Sequence, residues 1–573
     1  MENNALAKIF YETAELLALK NENPFKIRAY QKAANNIENL SNNLEEIYKK
    51  GGLPALQEIP GIGHDLSLKI EEFIRTGKVR SYKELTHEFP KEIINLINIP
   101  GMGPKTALLL NKKLKIDTPA KLEKAARHGL LRNIPGFGIK KEENILRGIS
   151  LKKRSKGRFR LDEATEYAEL IVEKLKKSKG VKKILPCGSL RRGQETIGDL
   201  DILITSTDPK PIMDAFTALP FVTNIIVKGE TKSSVILKNG MQADLRVVNP
   251  KSFGAAAHYF TGCKAHNINI RQLAQKNGWK VSEYGIFKGN KQIGGTTEEE
   301  MFSKFGLQFI PPELREMRGE FEAAAKGKLP KLIELSDIKG DLHSHTNATD
   351  GSNTILEMAQ AAKKLGYEYI LISDHSQSTR VARGLSIKQC LQNIKEIHSA
   401  GKMISGIKIL AGAEVDILPD GKLDYPDEVL KQFDLCICSI HSNFKMPKEK
   451  MTARIVKAFQ NKYVHIFAHP TGRLIGEREP YAVDMEQVLK AAKKYKIALE
   501  LNAHPKRLDL TDIYCRRAKE LGVKVVISTD SHRTSQLSLM KYGVLTARRG
   551  WLEKHDVLNT LPISKLLLRL KDK

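Results

Sequence analysis

The chain reads as multidomain, helical at its N-terminal end and α/β over the remainder, and three observations predict this. A Pro-Gly motif of one form recurs three times between helical patterns in the first 150 residues. Two apolar strands, near residues 200 and 245, each carry aspartate on a single face. Beyond residue 338, seven short apolar runs alternate with helical patterns, the pattern of a closed or nearly closed α/β barrel.

A length of 573 residues needs several cores, about three to five domains. Lys and Arg number 94 against 66 Asp and Glu, a formal net charge of +28. That excess favours a polyanionic partner, nucleic acid being the simplest. Cys187, Cys263, Cys390, Cys436, Cys438 and Cys515 are scattered without a CxxC pair, which fits a reducing compartment and no disulfide framework. No basic and apolar leader opens the chain, and no run approaches the ~18–20 apolar residues of a membrane span. A soluble cytoplasmic protein, nucleoid-associated and monomeric, with no membrane partner, is expected.

In the N-terminal third, helical spacing over residues 5–50 precedes Ile59-Pro60-Gly61-Ile62-Gly63. The motif returns as Ile99-Pro100-Gly101-Met102-Gly103 and Ile134-Pro135-Gly136-Phe137-Gly138. The glycines permit a tight turn that aims N–H groups outward at the start of a helix, a site for a phosphate or, through carbonyls, a monovalent cation. The copies resemble helix-hairpin-helix motifs, which implies sequence-independent grip on the DNA backbone by Gly61, Gly63, Gly101, Gly103, Gly136 and Gly138. Phe25-Lys26-Ile27-Arg28-Ala29-Tyr30 is similar to the first DNA-binding helix of DNA polymerase beta, where Lys26 and Tyr30 would hold a 5′-phosphate. By the same resemblance Lys69 falls where the family carries a Schiff-base lysine for deoxyribose-phosphate removal, although Asp65 stands where the family often has a basic residue. Residues 151–160 carry six basic side chains and no acid, a basic linker that could track phosphates.

The centre of the chain is Gly188-Ser189-Leu190-Arg191-Arg192-Gly193, followed by Asp199-Leu200-Asp201 and Ile202-Leu203-Ile204. Alternation puts Asp199 and Asp201 on one face and Leu200, Ile202 and Ile204 in a core. Neighbouring carboxylates repel, so a cation between them is expected, and oxygen donors suit Mg2+ or Mn2+. The Gly188-Ser189 turn offers N–H groups, a hydroxyl and guanidinium groups to a polyphosphate. A third carboxylate, Asp244, lies with Arg246 on one face of the strand Gln242–Val248. Three aspartates beside a phosphate-binding turn describe phosphoryl or nucleotidyl transfer with two metals.

This segment resembles the nucleotidyltransferase palm of family X DNA polymerases. The resemblance implies that Ser189 and Arg192 bind the nucleotide phosphates, Asp199 and Asp201 hold both metals, and Asp244 binds the catalytic metal. Tyr259-Phe260-Thr261-Gly262 matches the family's sugar-contacting segment, with Asn267 and Arg271 at its minor-groove positions. Lys264 stands where polymerase beta has an acid. A subdomain containing Trp279 and Tyr284–Phe287 closes this half near residue 316, and residues 317–338, broken by Gly327 and Pro330, read as a mobile surface tether.

Metal-type residues follow nearly every apolar run of the C-terminal part: His343 and His345, then Asp350, His375, Glu414, His441, His469, Asp530 and His532. In a barrel the C-terminal strand ends form one rim, so these groups converge. The pattern resembles the polymerase and histidinol phosphatase (PHP) domain, a distorted (βα)7 barrel. By that resemblance His343, His345, Glu414 and Asp530 hold one metal, Glu414 bridges to a second held by His441 and His469, and Asp350, His375 and His532 hold a third. Mixed donors suit Mn2+, Zn2+ or Fe. Arg380, Arg383 and Arg473 are weaker candidates for phosphate clamps.

The expected boundaries are a helical DNA-binding domain (1–95), a fingers-like pair of hairpins (96–150), the palm (151–250), a thumb-like nucleotide-selection subdomain (251–316), the tether (317–338) and the PHP domain (339–573). The whole implies a polymerase taking deoxynucleoside triphosphates onto gapped or primed DNA, joined to a 3′–5′ exonuclease, abasic-site endonuclease or 3′-phosphatase. Two alternatives remain open: a DNA-binding scaffold with a weak palm, and a barrel acting on small phosphate esters.

Overall fold

The computed structural model describes residues 3–571 except 21, 39, 41–43, 60, 89–95, 97–103, 135–137, 139–141, 143–144 and 147–156. Gly101, Gly103 and Gly136 therefore lie outside the described residues, as does most of the basic stretch 151–160.

Helices Asn3–Leu19, Pro24–Glu38, Leu44–Gln57, His64–Thr76 and Arg80–Glu88 form the first unit. Pro24 opens its helix at a position where a missing N–H costs nothing, and Gly77 (φ 68°) closes His64–Thr76 with its N–H on the Phe73 carbonyl. Leu6, Phe10 and Leu17 face the core of this unit with Ile37, Leu56 and Ile70. Leu16 and Leu19 of the same first helix instead join Ala107, Leu110, Leu122 and Leu131 in a second helical core. One helix thus serves two cores on opposite faces.

The palm is a five-stranded sheet in the spatial order Lys183–Pro186, Asp199–Thr205, Gln242–Val248, Lys232–Leu237, Val222–Lys228. Its two central strands run parallel, and the other pairings are antiparallel. Leu200, Ile202, Ile204, Ala243, Leu245 and Val247 bury their side chains with those of helices Leu161–Leu175 and Lys210–Thr217. The opposite face carries the aspartates. After it come helices Phe253–Thr261 and Lys264–Lys276, a three-stranded antiparallel sheet, and a core around Ile270, Ile286, Met301 and Phe302.

Residues 317–338 are not the surface tether expected from their glycine and proline. Phe321, Ala324 and Leu332 complete the thumb-like core, while Ile333 and Ile338 belong to the barrel's. Glu320 is fully buried, 2.9 Å from His266 Nδ1, and accepts the Met317 and Arg318 N–H groups. Apolar residues on either side of the breaks, rather than the breaks themselves, decide how this segment packs.

The C-terminal strands are Gly340–Asp341, Tyr369–Ile372, Lys408–Asp416, Leu435–Ser439, Val464–Phe467, Ala498–Asn502 and Val525–Ser528, all parallel and paired in chain order. A parallel bridge between Ser344 and Ser531 joins the first segment to the last, so the sheet is a nearly closed seven-stranded barrel. Asp341 strengthens that seam by accepting from the Thr529 N–H. Among the described residues no helix is long and apolar enough to cross a membrane, and no disulfide joins any of the six cysteines.

Two candidate metal centres

In the palm, the parallel register sets Asp201 directly beside Asp244 and Asp199 beside Gln242. Burial, then repulsion from Asp199 and Asp244, pushes the Asp201 carboxyl up to about 7. Asp199 is raised as well, by burial and then by Asp244. Such crowding of oxygen donors fits a hard divalent cation, which would reverse both shifts. Lys232 Nζ lies 3.3 Å from Asp244, and Gln242 donates to the same carboxylate at 2.7 Å. Lys232 was not legible in the sequence, because it comes from a neighbouring strand known only through register, whereas Gln242 shares the face of Asp244 by alternation along one strand.

Gly188 starts a single helical turn, Gly188–Arg191, at φ 63°. A β-carbon there would sit 2.2 Å from Asp201 Oδ2, so only glycine lets the turn lie against the aspartate-bearing face. Ser189 follows, half-buried. Arg191 and Arg192 both reach the thumb-like subdomain. Arg191 pairs with Glu298 at 2.6 Å, and Arg192 donates to Glu316 (2.9 Å) and to the Thr261 carbonyl (2.7 Å). Tyr259 and Phe260 are edge-to-face at 5.1 Å, and Arg246 lies over Phe260. Asn267, expected at the minor groove, turns its amide inward onto the carbonyls of Tyr259 (2.7 Å) and Gly262 (3.1 Å). It therefore shapes the Tyr259–Gly262 segment instead of facing outward. Lys264 and Arg271 are exposed.

The barrel brings all nine anticipated residues to one rim. Donor atoms of His345, Asp350, His375 and His532 lie within 4.8 Å of one another, as do those of His343, His345 and Asp530, and those of His375, Glu414 and His441. Glu414 is central: one oxygen faces His469 (2.8 Å) and His441 (3.4 Å), the other His375 (3.1 Å) and His343 (3.4 Å). His345 and His375 each stand between two groups, so the three clusters interlock more than the sequence suggested. Among the described residues, His345 Nδ1, His375 Nδ1 and Glu414 Oε2 are buried and make no well-aligned hydrogen bond, although the last two lie 3.1 Å apart. Buried lone pairs left open in this way, on mixed imidazole and carboxylate donors, fit transition-metal ligation.

A second layer aims these donors. Glu500 accepts from His343 Nδ1 (2.7 Å) and Asp416 from His441 Nδ1 (2.8 Å). Asp374 accepts from the Thr346 N–H and from the hydroxyls of Thr346 and Thr349, fixing the loop that carries Asp350. His469 (φ 29°) and Asp530 (φ 53°) hold left-handed backbone conformations unusual for their residue types, as functional positions often do. Glu500 and Arg507 were not singled out by sequence reasoning. Arg507 lies 3.4 Å from Asp530. Of the suggested phosphate clamps, Arg383 bonds the Thr349 carbonyl at this rim and Arg380 is exposed. Arg473 is instead committed to Glu195 of the palm at 2.6 Å and to the Arg507 and Leu508 carbonyls, so it ties two domains together.

In the N-terminal unit, Gly61 adopts φ 82° and Gly63 precedes helix His64–Thr76, as a phosphate-binding hairpin requires. Gly138 is exposed and accepts the Glu142 N–H. Lys26 is exposed beside Glu22. Tyr30, expected to touch a 5′-phosphate, is only 5 % exposed and packs edge-to-face on Phe10. It is a core aromatic, because its helix turns that face inward. Lys69 donates to the Asp65 carbonyl one turn back.

Known families match this order of parts. Models described as helix-hairpin-helix domain (residues 1–79), SAM-like helix-hairpin-helix tandem (93–150), DNA polymerase beta palm (158–271), DNA polymerase beta thumb (256–316) and PHP domain (341–504) follow one another along the chain. Fold and sites thus define a polymerase beta-type nucleotidyltransferase joined to a PHP barrel. Over 575 residues, 100% of both chains, the sequence is 39% identical to the DNA polymerase/3'-5' exonuclease PolX of Bacillus subtilis (strain 168). The chain belongs to the family X DNA polymerases that carry a C-terminal PHP domain. The barrel region alone is 30% identical over 244 residues (41% of this chain, 94% of the relative) to a protein of Thermoanaerobacter sp. (strain X514) named "Probable phosphatase". A similarly named protein of Caldanaerobacter subterraneus is 32% identical over 218 residues, 36% of this chain and 79% of its own.

Proposed function

We propose that the chain fills short gaps during base-excision or end repair and that its barrel trims or cleans 3′ ends. The observation that carries the first half is the Asp201–Asp244 register beside the Gly188 turn. Asp199, Asp201 and Asp244 would hold two Mg2+ or Mn2+ ions, which supply charge neutralisation for the entering and leaving oxygens. Asp244 accepts the proton of the primer 3′-OH as that oxygen attacks the α-phosphorus in line and pyrophosphate leaves. Ser189 and the Gly188 turn orient the triphosphate. Arg192 has one amino group remaining for it after Glu316 and Thr261. Tyr259, Phe260 and Gly262 border the ribose, and the exposed Lys264 and Arg271 meet nucleotide and template. Asn267 holds that wall in place. Gly61, Gly63 and Lys26, with the further hairpins, grip the downstream strand, and Lys69 is the candidate lyase nucleophile.

In the barrel His343, His345, Asp350, His375, Glu414, His441, His469, Asp530 and His532 would hold up to three Mn2+, Zn2+ or Fe ions, which activate water and stabilise charge on a phosphoester. Arg383 and Arg507, at the rim, are placed to steady a phosphate. The similarity to proteins named as phosphatases favours, as a second reading, 3′-phosphate removal beside exonuclease action.

The test is extension into a one-nucleotide gap. The native chain should extend faster when the downstream strand bears a 5′-phosphate, and Asp244→Asn should abolish extension. Indifference to the 5′-phosphate would remove the gap-filling role, and extension by Asp244→Asn would remove the palm assignment.

A further inference from the structure

The barrel is seated on the polymerase half by more than the connecting segment. Leu508 and Tyr542, both barrel residues, are buried in the palm's own core. Gly193, at φ 66°, meets the barrel helix Met540–Arg549 so closely that a β-carbon would lie 2.3 Å from Leu545 Cγ. At the end of that helix Arg549, 4 % exposed, reaches the nucleotide site from behind. Its Nη1 donates to the Arg192 carbonyl (2.8 Å) and to Glu316 Oε1 (2.9 Å). The same carboxylate oxygen accepts from Arg192 Nε (2.9 Å) and Gln194 Nε2 (2.5 Å). On its other edge Arg549 is held by Asp512 Oδ2, with Nε at 3.0 Å and Nη2 at 2.9 Å, and Asp512 also receives Arg318 at 2.8 Å.

Two physical consequences follow. An unrestrained arginine loses rotamer freedom when it grips a phosphate, and a guanidinium already locked on two sides does not. Glu316 with Arg192 alone would be a neutral pair of little use to a triphosphate. With Arg549 and Arg318 added, three guanidinium groups face two carboxylates, so net positive charge remains for an anion.

We propose that Arg549 of the barrel is a positioning residue of the polymerase. Through Glu316 and the Arg192 backbone it sets the guanidinium that receives the nucleotide triphosphate, and the barrel thereby forms part of the nucleotide site. This rests on the reading that Arg192 binds that triphosphate.

The test uses the full chain and compares Arg549→Met, Arg549→Lys, Arg192→Met and the Arg549→Met/Arg192→Met pair. Arg549→Met should raise KM for the nucleotide about ten-fold, with hydrolysis of a single-stranded 3′ end within about two-fold of the native rate. Arg549→Lys should restore part of the loss. In the Arg192→Met background the second change should add nothing, because both act on one guanidinium. Should Arg549→Met not fold, Asp512→Asn, which releases the far edge of Arg549, carries the same test with a smaller rise. An unchanged KM, an equal further rise in the Arg192→Met background, or a parallel fall in hydrolysis would overturn the proposal. A native KM in Arg192→Met would instead defeat the underlying reading of the nucleotide site.

Discussion

Gly188 shows how much of the palm's chemistry hangs on one missing side chain. Its left-handed backbone and the 2.2 Å that a β-carbon would leave to Asp201 allow no alanine without displacing the Asp201 carboxylate. Gly188→Ala should therefore lower primer extension by about 100-fold or more while sparing hydrolysis at the barrel. Steady-state extension beside a nuclease assay on the same preparation checks this. Two side chains take directions that their types do not announce. Tyr30 and Asn267 have the right chemistry for phosphate and groove contact, but one is buried against Phe10 and the other bonds two backbone carbonyls. Residue type is written in the sequence. The direction a side chain takes depends on which helix face the neighbouring elements cover.

Elements were far more legible. Apolar runs near 341, 369, 407, 435, 464, 497 and 524 all became barrel strands, because a strand buried on both faces is mostly apolar and reads as a short continuous run. Metal-type residues at their ends converge for the geometrical reason that parallel strands in a barrel share one rim. What could not be read is the layer behind them. Glu500 lies inside the strand Ala498–Asn502, fully buried, and only the closed barrel shows that it meets His343 Nδ1, the His469 N–H and Ser528. Glu500→Gln should weaken metal binding about 10- to 100-fold, as loss of an outer partner does elsewhere. Metal content after dialysis against a chelator series reads this directly. Retention equal to that of the native chain would show that His343 needs no such support.

At the scale of the whole molecule, ion pairs between parts do much of the joining. Burial would raise Glu316, but Arg549, Arg192 and Arg318 overcome it and hold the carboxyl at about 2. Burial likewise opposes Arg315 and Arg191 at Glu298, which is also held at about 2. Both values lie below the ordinary 4.5, so this stabilisation is complete above pH 4.5 and is lost as pH falls from there toward 2, on the order of 3 kcal/mol for each group. Glu320 runs the opposite way, since burial raises it to about 7, and its contribution fades as pH rises from 4.5 to 7. Thermal melting against pH should show the acid-side loss in the native chain and a shallower one in Glu316→Gln. Identical slopes would mean that the network does not couple the parts. None of this network was visible beforehand, because its members are spread from Arg192 to Arg549 and the segment 317–338 looked like a tether.

One chain is expected to carry two separate catalytic centres, one that extends DNA and one that hydrolyses it. A single gel on a labelled primer-template, run with Asp201→Ala and His343→Ala, tests it most directly. Asp201→Ala should lose extension and keep shortening the primer, and His343→Ala should extend without shortening. Extension that survives Asp201→Ala, or both activities vanishing together in either variant, would contradict it.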